Sequence, residues 1–160
     1  LGVEPVVIKG ALENFAGTWR RFEYKGDCNG APVYDDYAHH PTEIRSVISG
    51  VREKFPDKKI TVAFQPHTFS RTRELFSDFV EALSLADQVL LIPIYPARKE
   101  DTTGVSSEGL MEALQAEGVS VSHFHTLLAL GLELRETVTS DEVVLLLGAG
   151  EITNVAKELV

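Results

Sequence analysis

Two short segments of the sequence each bring imidazole, hydroxyl and charged side chains together within nine residues. The first, residues 35–43, has the sequence DDYAHHPTE, and the second, residues 65–73, has the sequence QPHTFSRTR. In each, an apolar strand-like stretch ends and a helix-like stretch begins. Backbone N–H groups and the helix dipole at such a junction favour a bound anion. The pattern therefore indicates a site for a phosphate or a carboxylate.

Arg71 gives the clearest indication in the second segment. It falls in the first turn of a predicted helix, where a cation is unfavourable unless an anion binds beside it. The alternative is a surface arginine paired with Glu74 or Asp78, a contribution of only about 0.3–0.5 kcal/mol. For the first segment, the alternative is that Asp36 and Thr42 only cap the helix while the histidines are solvated. The residues alone leave these alternatives open.

Histidines also raise the possibility of a metal site. His39, His40 and His67, together with two aspartates, offer the imidazole and carboxylate groups that bind zinc or manganese. No HxxxH or HExxH spacing accompanies them, so we favour the anion site and predict no bound metal. His123 and His125 would point to one face of a strand and are assigned no role.

The sequence VVLLLGAG, residues 143–150, joins an unbroken apolar run to a glycine-rich turn. The run predicts a strand that is buried on both faces of a sheet. The turn is similar to the start of a dinucleotide-binding loop, but Thr153 occupies the position of the third glycine of GxGxxG, so we expect a tight, close-packed turn. No GxxxxGK[ST] phosphate loop occurs in the sequence, so ATP-driven chemistry would need another domain.

Short apolar strands alternate with longer amphipathic segments, which predicts a single α/β domain with an open, doubly wound, mostly parallel, Rossmann-like sheet. The strands are expected at 19–25, 32–37, 60–64, 89–95, 119–124 and within 143–150, the first two as a hairpin. The helices are expected at about 7–15, 41–55, 70–86, 107–117 and 127–138. Since ligands collect at the carboxyl ends of parallel strands, the polar segments should share one rim of the sheet.

Composition argues against several functional classes. A net charge of -9 with scattered basic residues disfavours nucleic acid as a partner. The single cysteine, Cys28, rules out an intrachain disulfide and suits a reducing cytoplasm. No apolar stretch approaches the roughly 20 residues of a membrane-spanning helix. We therefore expect a cytoplasmic protein with no membrane partner, and the non-methionine start suggests a piece of a longer polypeptide.

Four motifs, FAGTWRRFE, DDYAHHPTEI, FQPHTFSRTRELF and GAGEI, follow one another along nearly the whole chain. In order and spacing they resemble the carboxy-terminal domain of the Mur ligase family, bacterial cell-wall ligases, of the type that joins L-alanine to UDP-N-acetylmuramate. The resemblance implies that residues 1–160 are this domain, residues 1–17 being a helix and linker that lead in from a central domain. It also implies that an amino-terminal domain holds the UDP-sugar and that the central P-loop domain holds ATP and Mg²⁺.

In that family an acyl phosphate forms on the muramic acid carboxylate, and the amine of L-alanine attacks it to give an amide and phosphate. The carboxy-terminal domain closes over both other domains, so the isolated domain is expected to be inactive. The residues assigned to catalysis by the resemblance are Arg21, Asp36 and His39, with Arg21 and Asp36 also contacting the nucleotide. The residues assigned to the amino acid are Tyr37, His67 and Arg71, with Arg71 facing its carboxylate.

Two positions depart from the family pattern. Thr68 occupies a position that often holds a second arginine, so the carboxylate clamp should be either weaker or built differently here. Arg98 stands where glycine is expected, which leaves the role of its loop open. Two other functions remain open from the sequence. One is a ligase that attaches a recycled murein tripeptide to the same sugar, which would need a more open amino-acid pocket. The other is a stand-alone module that binds a nucleotide or an amino acid without catalysis.

Overall fold

The computed structural model describes residues 2–15, 17–99 and 102–160. The strands of the described chain are β1 (Glu23–Cys28), β2 (Ala31–Asp36), β3 (Lys59–Phe64), β4 (Gln88–Leu91), β5 (Ser120–His123) and β6 (Glu142–Leu147). They form a six-stranded sheet in the order β1-β2-β6-β3-β4-β5. Strand β1 pairs antiparallel with β2, and the pairings from β2 to β5 are all parallel.

Helices cover both faces of this sheet. The helices of the described chain are α1 (Pro5–Glu13), α2 (Pro41–Lys54), α3 (Phe69–Glu74), α4 (Phe76–Leu83), α5 (Ser107–Ala116), α6 (Leu127–Thr137), a 3-10 helix (Glu151–Val155) and α7 (Ala156–Leu159). Helices α2, α4 and α5 bury their apolar faces in one core. Helices α6 and α7 and the 3-10 helix bury theirs in a second core on the other face. The predicted open, doubly wound, mostly parallel sheet is confirmed.

The apolar run at the end of the sequence forms the middle of the sheet. Strand β6 lies between β2 and β3. Its alternate side chains enter the two cores, Leu145 and Leu147 on one face and Leu146 on the other. The expected strand buried on both faces is therefore confirmed, because helices cover both of its sides.

The predicted hairpin is present, but its first strand was placed too early. Strand β1 begins at Glu23 rather than at residue 19, and the turn lies at Asn29 and Gly30, which both have positive φ angles, 51° and 84°. Before the strand, Arg20 and Phe22 also have positive φ, 51° and 49°, which interrupts an extended backbone. The burial of the Arg20 side chain, described below, accounts for this irregular segment.

Three further boundaries differ from the prediction. The strand expected at 89–95 ends at Leu91, because Pro93 has no N–H to continue the ladder. The helix expected at 70–86 is divided at Leu75 into α3 and α4. The first helix ends at Glu13, capped through Asn14, rather than at Gly17.

None of the side chains of α1 is buried. Within the described residues, no helix is both long enough and apolar enough to cross a membrane.

Candidate functional site

Four aromatic rings from three loops form a continuous row along the carboxyl ends of the parallel strands. Tyr37 contacts His39 edge to face with ring centroids 5.3 Å apart, and His39 contacts His67 in the same way at 5.7 Å. The ring of His67 then stacks on Tyr95 at 5.6 Å. The structure thus brings together three residues that the sequence analysis assigned to the site, and it adds Tyr95. We call this row the ring wall.

A guanidinium group lies beside each end of the part of the ring wall that runs from Tyr37 to His67. The exposed side chain of Arg21 places its guanidinium carbon 5.9 Å from the ring centroid of Tyr37. Nη1 of Arg71 lies 3.5 Å from Nδ1 of His67. Within the described chain, no salt bridge links Arg71 to Glu74 or Asp78. The own-helix alternative for Arg71 is therefore not observed, and the two cations flank a surface suited to an anion.

His39 has a defined orientation. Its Nδ1 lies 2.9 Å from the carbonyl oxygen of Tyr37 and 3.4 Å from Oε2 of Glu43. Because a carbonyl oxygen can only accept a hydrogen bond, Nδ1 carries the proton. In the neutral ring, Nε2 then keeps its lone pair and can accept a proton or a hydrogen bond from a ligand.

Asp36 lies beside the ring wall but does not face out from it. Its side chain is buried, with Oδ2 accepting from the backbone N–H of Phe22 at 2.7 Å and Oδ1 from that of Ala38 at 2.8 Å. The carboxylate therefore connects the loop that carries Arg21 to the loop that carries His39. In this conformation both of its oxygens are used within the protein.

The start of α2 is capped by His40, not by Asp36 or Thr42, the residues of the alternative considered from the sequence. Nδ1 of His40 accepts from the backbone N–H of Thr42, and Glu43 completes a capping box. Burial opposes ionisation of Glu43, but the backbone N–H groups of His39 and His40 and the nearby charges lower its pKa overall. Because the helix start is capped by these side chains, an anion at this rim would depend mainly on Arg21 and Arg71.

Thr68 explains one departure from the family pattern. It is buried with φ at 70°, and its hydroxyl accepts from the backbone N–H of Arg71 at the start of α3. Arg98 instead reaches the same turn from another loop, donating to Oγ of Ser70 at 2.9 Å. A second guanidinium is thus present near Arg71, although it comes from a different part of the chain.

The sequence analysis missed Arg20, which is 3% exposed. Its Nε donates to Oδ2 of Asp35 at 3.0 Å, and its other nitrogens donate to the carbonyl oxygens of Gly148 and Gly150. Thr153 also donates to Oδ2 of Asp35, at 2.6 Å. The buried pair of Arg20 and Asp35 therefore joins the end of β2 to the glycine-rich turn. Strand alternation would not have identified this residue, because Arg20 has a positive φ and the strand begins only at Glu23.

The glycine-rich turn after β6 is tight, as predicted. A Cβ atom on Gly150 would lie 2.4 Å from Oε1 of Gln65, and one on Gly148, whose φ is 142°, would lie 2.7 Å from the carbonyl oxygen of Gln65. The same Oε1 accepts from the backbone N–H of Ile152 at 3.1 Å. The glycines here permit close packing of β3 against the turn.

Comparison with known proteins gives a consistent result. The family described as "Mur ligase, glutamate ligase domain" matches residues 20–150. UDP-N-acetylmuramate–L-alanine ligase from Agathobacter rectalis is 38% identical over 159 residues, which is 99% of this chain and 34% of that protein. The enzyme of the same name from an Arthrobacter species is 52% identical over 118 residues, 74% of this chain and 25% of that protein.

The solved structures agree in fold. The crystal structure of UDP-N-acetylmuramate–alanine ligase MurC from Thermotoga maritima superposes with a TM-score of 0.81 at 29% identity, covering 99% of this chain and 33% of that one. A murein peptide ligase from Psychrobacter arcticus has a TM-score of 0.71 at 23% identity over 94% of this chain and 31% of its own, which shows the shared fold. The chain spans about a third of the length of the full-length relatives it matches. The match over residues 20–150 shows that the chain belongs to the Mur ligase family, as its glutamate ligase domain.

Proposed function

We propose that the chain is the carboxy-terminal domain of an ATP-dependent ligase that joins L-alanine to UDP-N-acetylmuramate through an acyl phosphate, in the synthesis of peptidoglycan precursors. The relatives that carry this name match nearly the whole chain. In this proposal residues 1–17 are the helix and linker that lead in from a central domain. The protein would act in the cytoplasm.

The observation that carries the proposal is the ring wall with the guanidinium of Arg21 beside Tyr37 and that of Arg71 beside His67. The carboxylate group of an amino acid and the phosphate of an acyl phosphate are both negatively charged at neutral pH, and forked guanidinium donors suit their oxygens. Imidazoles between the two cations suit the amine that must lose a proton as it attacks. This wall therefore offers the groups that amide formation from an acyl phosphate requires.

Each residue of the wall takes a role that its contacts permit. Arg71, with Arg98 beside the same turn, would bind the carboxylate of L-alanine, and the rings of Tyr37 and His67 would line its pocket. The free Nε2 of His39 would accept a hydrogen bond or proton from the amine.

Arg21 and Asp36 would serve the nucleotide side. Arg21 is exposed at the end of the wall, where it would contact the phosphates of ATP. Since both oxygens of Asp36 accept backbone N–H groups, we assign it the positioning of the Arg21 loop as its main effect on the nucleotide.

The chain offers no phosphate loop of its own. ATP and Mg²⁺ would therefore be held mainly by the central domain, with Arg21 as the contribution of this domain. Closure of the domains would exclude the water that otherwise hydrolyses an acyl phosphate.

The test is phosphate release by the full-length protein that carries this chain. We expect turnover that requires ATP, UDP-N-acetylmuramate and L-alanine together, with little turnover when the murein tripeptide replaces L-alanine. Turnover with the tripeptide and not with L-alanine would instead identify the peptide-recycling ligase. Turnover with neither would exclude a ligase of either kind.

A further inference from the structure

Three potential metal ligands meet where the first turn of α5 approaches the carboxyl end of β5. His123 is the last residue of β5, His125 follows two positions later, and Glu108 is the second residue of α5. Their ligand atoms all lie within 4.8 Å of one another, the one group of this kind in the described part of the chain. The two imidazole rings are in edge contact, with centroids 5.2 Å apart.

The ring of His123 contains a buried polar atom that makes no hydrogen bond. Its side chain is only 5% exposed, although it lies on an edge strand, and its Nε2 is buried without a hydrogen-bond partner. A buried nitrogen left in this state destabilises the fold, and most such atoms in native proteins have a partner. Nε2 faces Oε1 of Glu108 at 3.8 Å.

A separation of 3.8 Å is too long for a hydrogen bond but close to that of two ligands on one ion. With zinc–ligand bonds of about 2.0–2.2 Å and a tetrahedral angle, two ligand atoms lie about 3.4 Å apart. The wider separations in the group can close by rotation of Glu108 and His125, because both residues are exposed. The geometry thus needs only side-chain movement to enclose an ion.

We propose that Glu108, His123 and His125 bind a divalent transition-metal ion, with Zn²⁺ as the best fit to two imidazoles and one carboxylate. Three protein ligands leave a fourth position for water. The ion would fasten the first turn of α5 to β5, an edge strand that pairs only with β4. The site is independent of the proposed ligase function. The competing explanation is that Glu108 only complements the dipole of α5 and that the rings only pack.

The experiment is a titration of the 160-residue chain with Zn²⁺ by calorimetry, with Co²⁺ as a spectroscopic probe of coordination. We expect one Zn²⁺ per chain, visible absorption of tetrahedral Co²⁺, and a rise in Tm with Zn²⁺. Glu108→Gln and His125→Ala should each weaken Zn²⁺ binding by at least about tenfold. The matched control is Glu112→Gln, an exposed position one turn further along α5, which should bind Zn²⁺ as the unchanged chain does.

Both test variants replace exposed side chains, so the fold should survive, and circular dichroism without metal will verify that. Absence of saturable binding up to about 1 mM Zn²⁺ would overturn the proposal. Equal affinity in the two variants and the control would also overturn it. Binding that is lost in His67→Ala instead would place the ion on the ring wall and equally reject this site.

Discussion

Two adjacent arginines of the same chemistry have opposite roles in this domain. Arg20 is buried against Asp35 and the glycine-rich turn, whereas Arg21 is exposed beside Tyr37. The motif resemblance pointed to Arg21, and its exposure is compatible with that assignment. The inward course of Arg20 could not be predicted, because two of its partners, the carbonyl oxygens of Gly148 and Gly150, lie 128 and 130 residues away in the sequence.

We predict that Arg20→Ala destabilises the domain strongly while Arg21→Ala does not. Removing Arg20 leaves the fully buried Asp35 without its counter-charge, a loss of about 3–5 kcal/mol for a buried pair. Arg21→Ala changes an exposed side chain, with an effect within about 0.5 kcal/mol. Urea unfolding of the two variants measures the difference directly. Equal, small effects would show that Arg20 is not a structural clamp.

Arg71 and Arg21 should differ in kinetics in the full-length protein. A hydrogen bond from Arg71 to the L-alanine carboxylate is present in both ground and transition states, so Arg71→Ala should chiefly raise KM for L-alanine. The expected loss of binding free energy is about 1.5–3 kcal/mol, which raises KM by roughly ten- to a hundredfold. Arg21→Ala should chiefly lower kcat, because its contact strengthens as charge develops on the phosphate.

Steady-state kinetics with varied L-alanine distinguishes these outcomes. The reverse pattern would contradict the roles proposed for both residues. Unchanged L-alanine kinetics in Arg71→Ala, together with a less stable fold, would make Arg71 a structural residue of α3.

At the level of elements, segments with long hydrophobic patterns were predicted well. The helix α2 and the strand β3 lie within one residue of the predicted limits, and β6 covers the apolar part of the predicted segment 143–150, because an amphipathic or fully apolar run dominates local preference. The wrongly predicted boundaries lie where contacts with distant residues, rather than local sequence, determine the backbone conformation. After β4 the chain leaves the ladder, and its next pairing is the bridge between His67 and Tyr95. That bridge helps to form the ring wall, so the irregularity that hides the element from prediction also builds part of the site.

Two glycine substitutions should have opposite effects. Gly150→Ala would place a Cβ atom 2.4 Å from Oε1 of Gln65, so the turn or Gln65 must move and the domain should lose at least about 1 kcal/mol. Gly50→Ala lies on the exposed side of α2 with no atom within 4 Å of the new Cβ, and should gain about 0.5–1 kcal/mol. Urea midpoints test the pair, and a stabilising Gly150→Ala would show that the turn is not close-packed.

Asp87 should make part of the stability depend on pH. Burial opposes its ionisation, but the backbone N–H of Ile60 and the guanidinium of Arg52, each 2.7 Å from Oδ2, lower its pKa. A lowered folded-state pKa gives stability that is fully present above the unfolded value, near about 3.9, and is lost as the pH falls through the folded value. The gain is under about 1 kcal/mol, since the two side chains are 40% and 43% exposed.

The measurement is the urea midpoint of the chain and of Asp87→Asn from pH 7 to pH 3. The difference between the two proteins should be largest at pH 7 and should shrink below about pH 4. Arg52→Gln should lose less stability than Asp87→Asn, because the hydrogen bond from the backbone N–H of Ile60 to Asp87 remains. A difference that stays constant over this range would show that the charge of Asp87 is not involved.

At the level of the whole molecule, the strand order gathers distant segments at one rim. The last strand in the sequence, β6, lies between β2 and β3, so the glycine-rich turn packs beside Gln65 and the end of β2. The sequence predicted a shared rim from the position of polar segments after strands, but not this order. The individual site roles came from the family resemblance rather than from residue spacing. The ring wall is partly accessible, and α1 has apolar side chains in solvent, as the proposed closure against other domains would require.

The isolated 160-residue chain should therefore show no ligase activity of its own. It contains no phosphate loop to hold ATP and Mg²⁺, and no second wall that would shield an acyl phosphate from water. Each ligand would make its main contacts only when the domains close, so ATP and L-alanine should bind the chain with Kd values weaker than about 1 µM, or about −8 kcal/mol. Calorimetry measures these affinities, and a phosphate-release assay with the full-length protein as positive control measures the activity.

Phosphate release by the pure chain that depends on UDP-N-acetylmuramate and L-alanine would show that the chemistry is complete within it. A submicromolar Kd without turnover would instead favour an autonomous binding module, because the ring wall would then hold its ligand without the closure on which the ligase proposal depends.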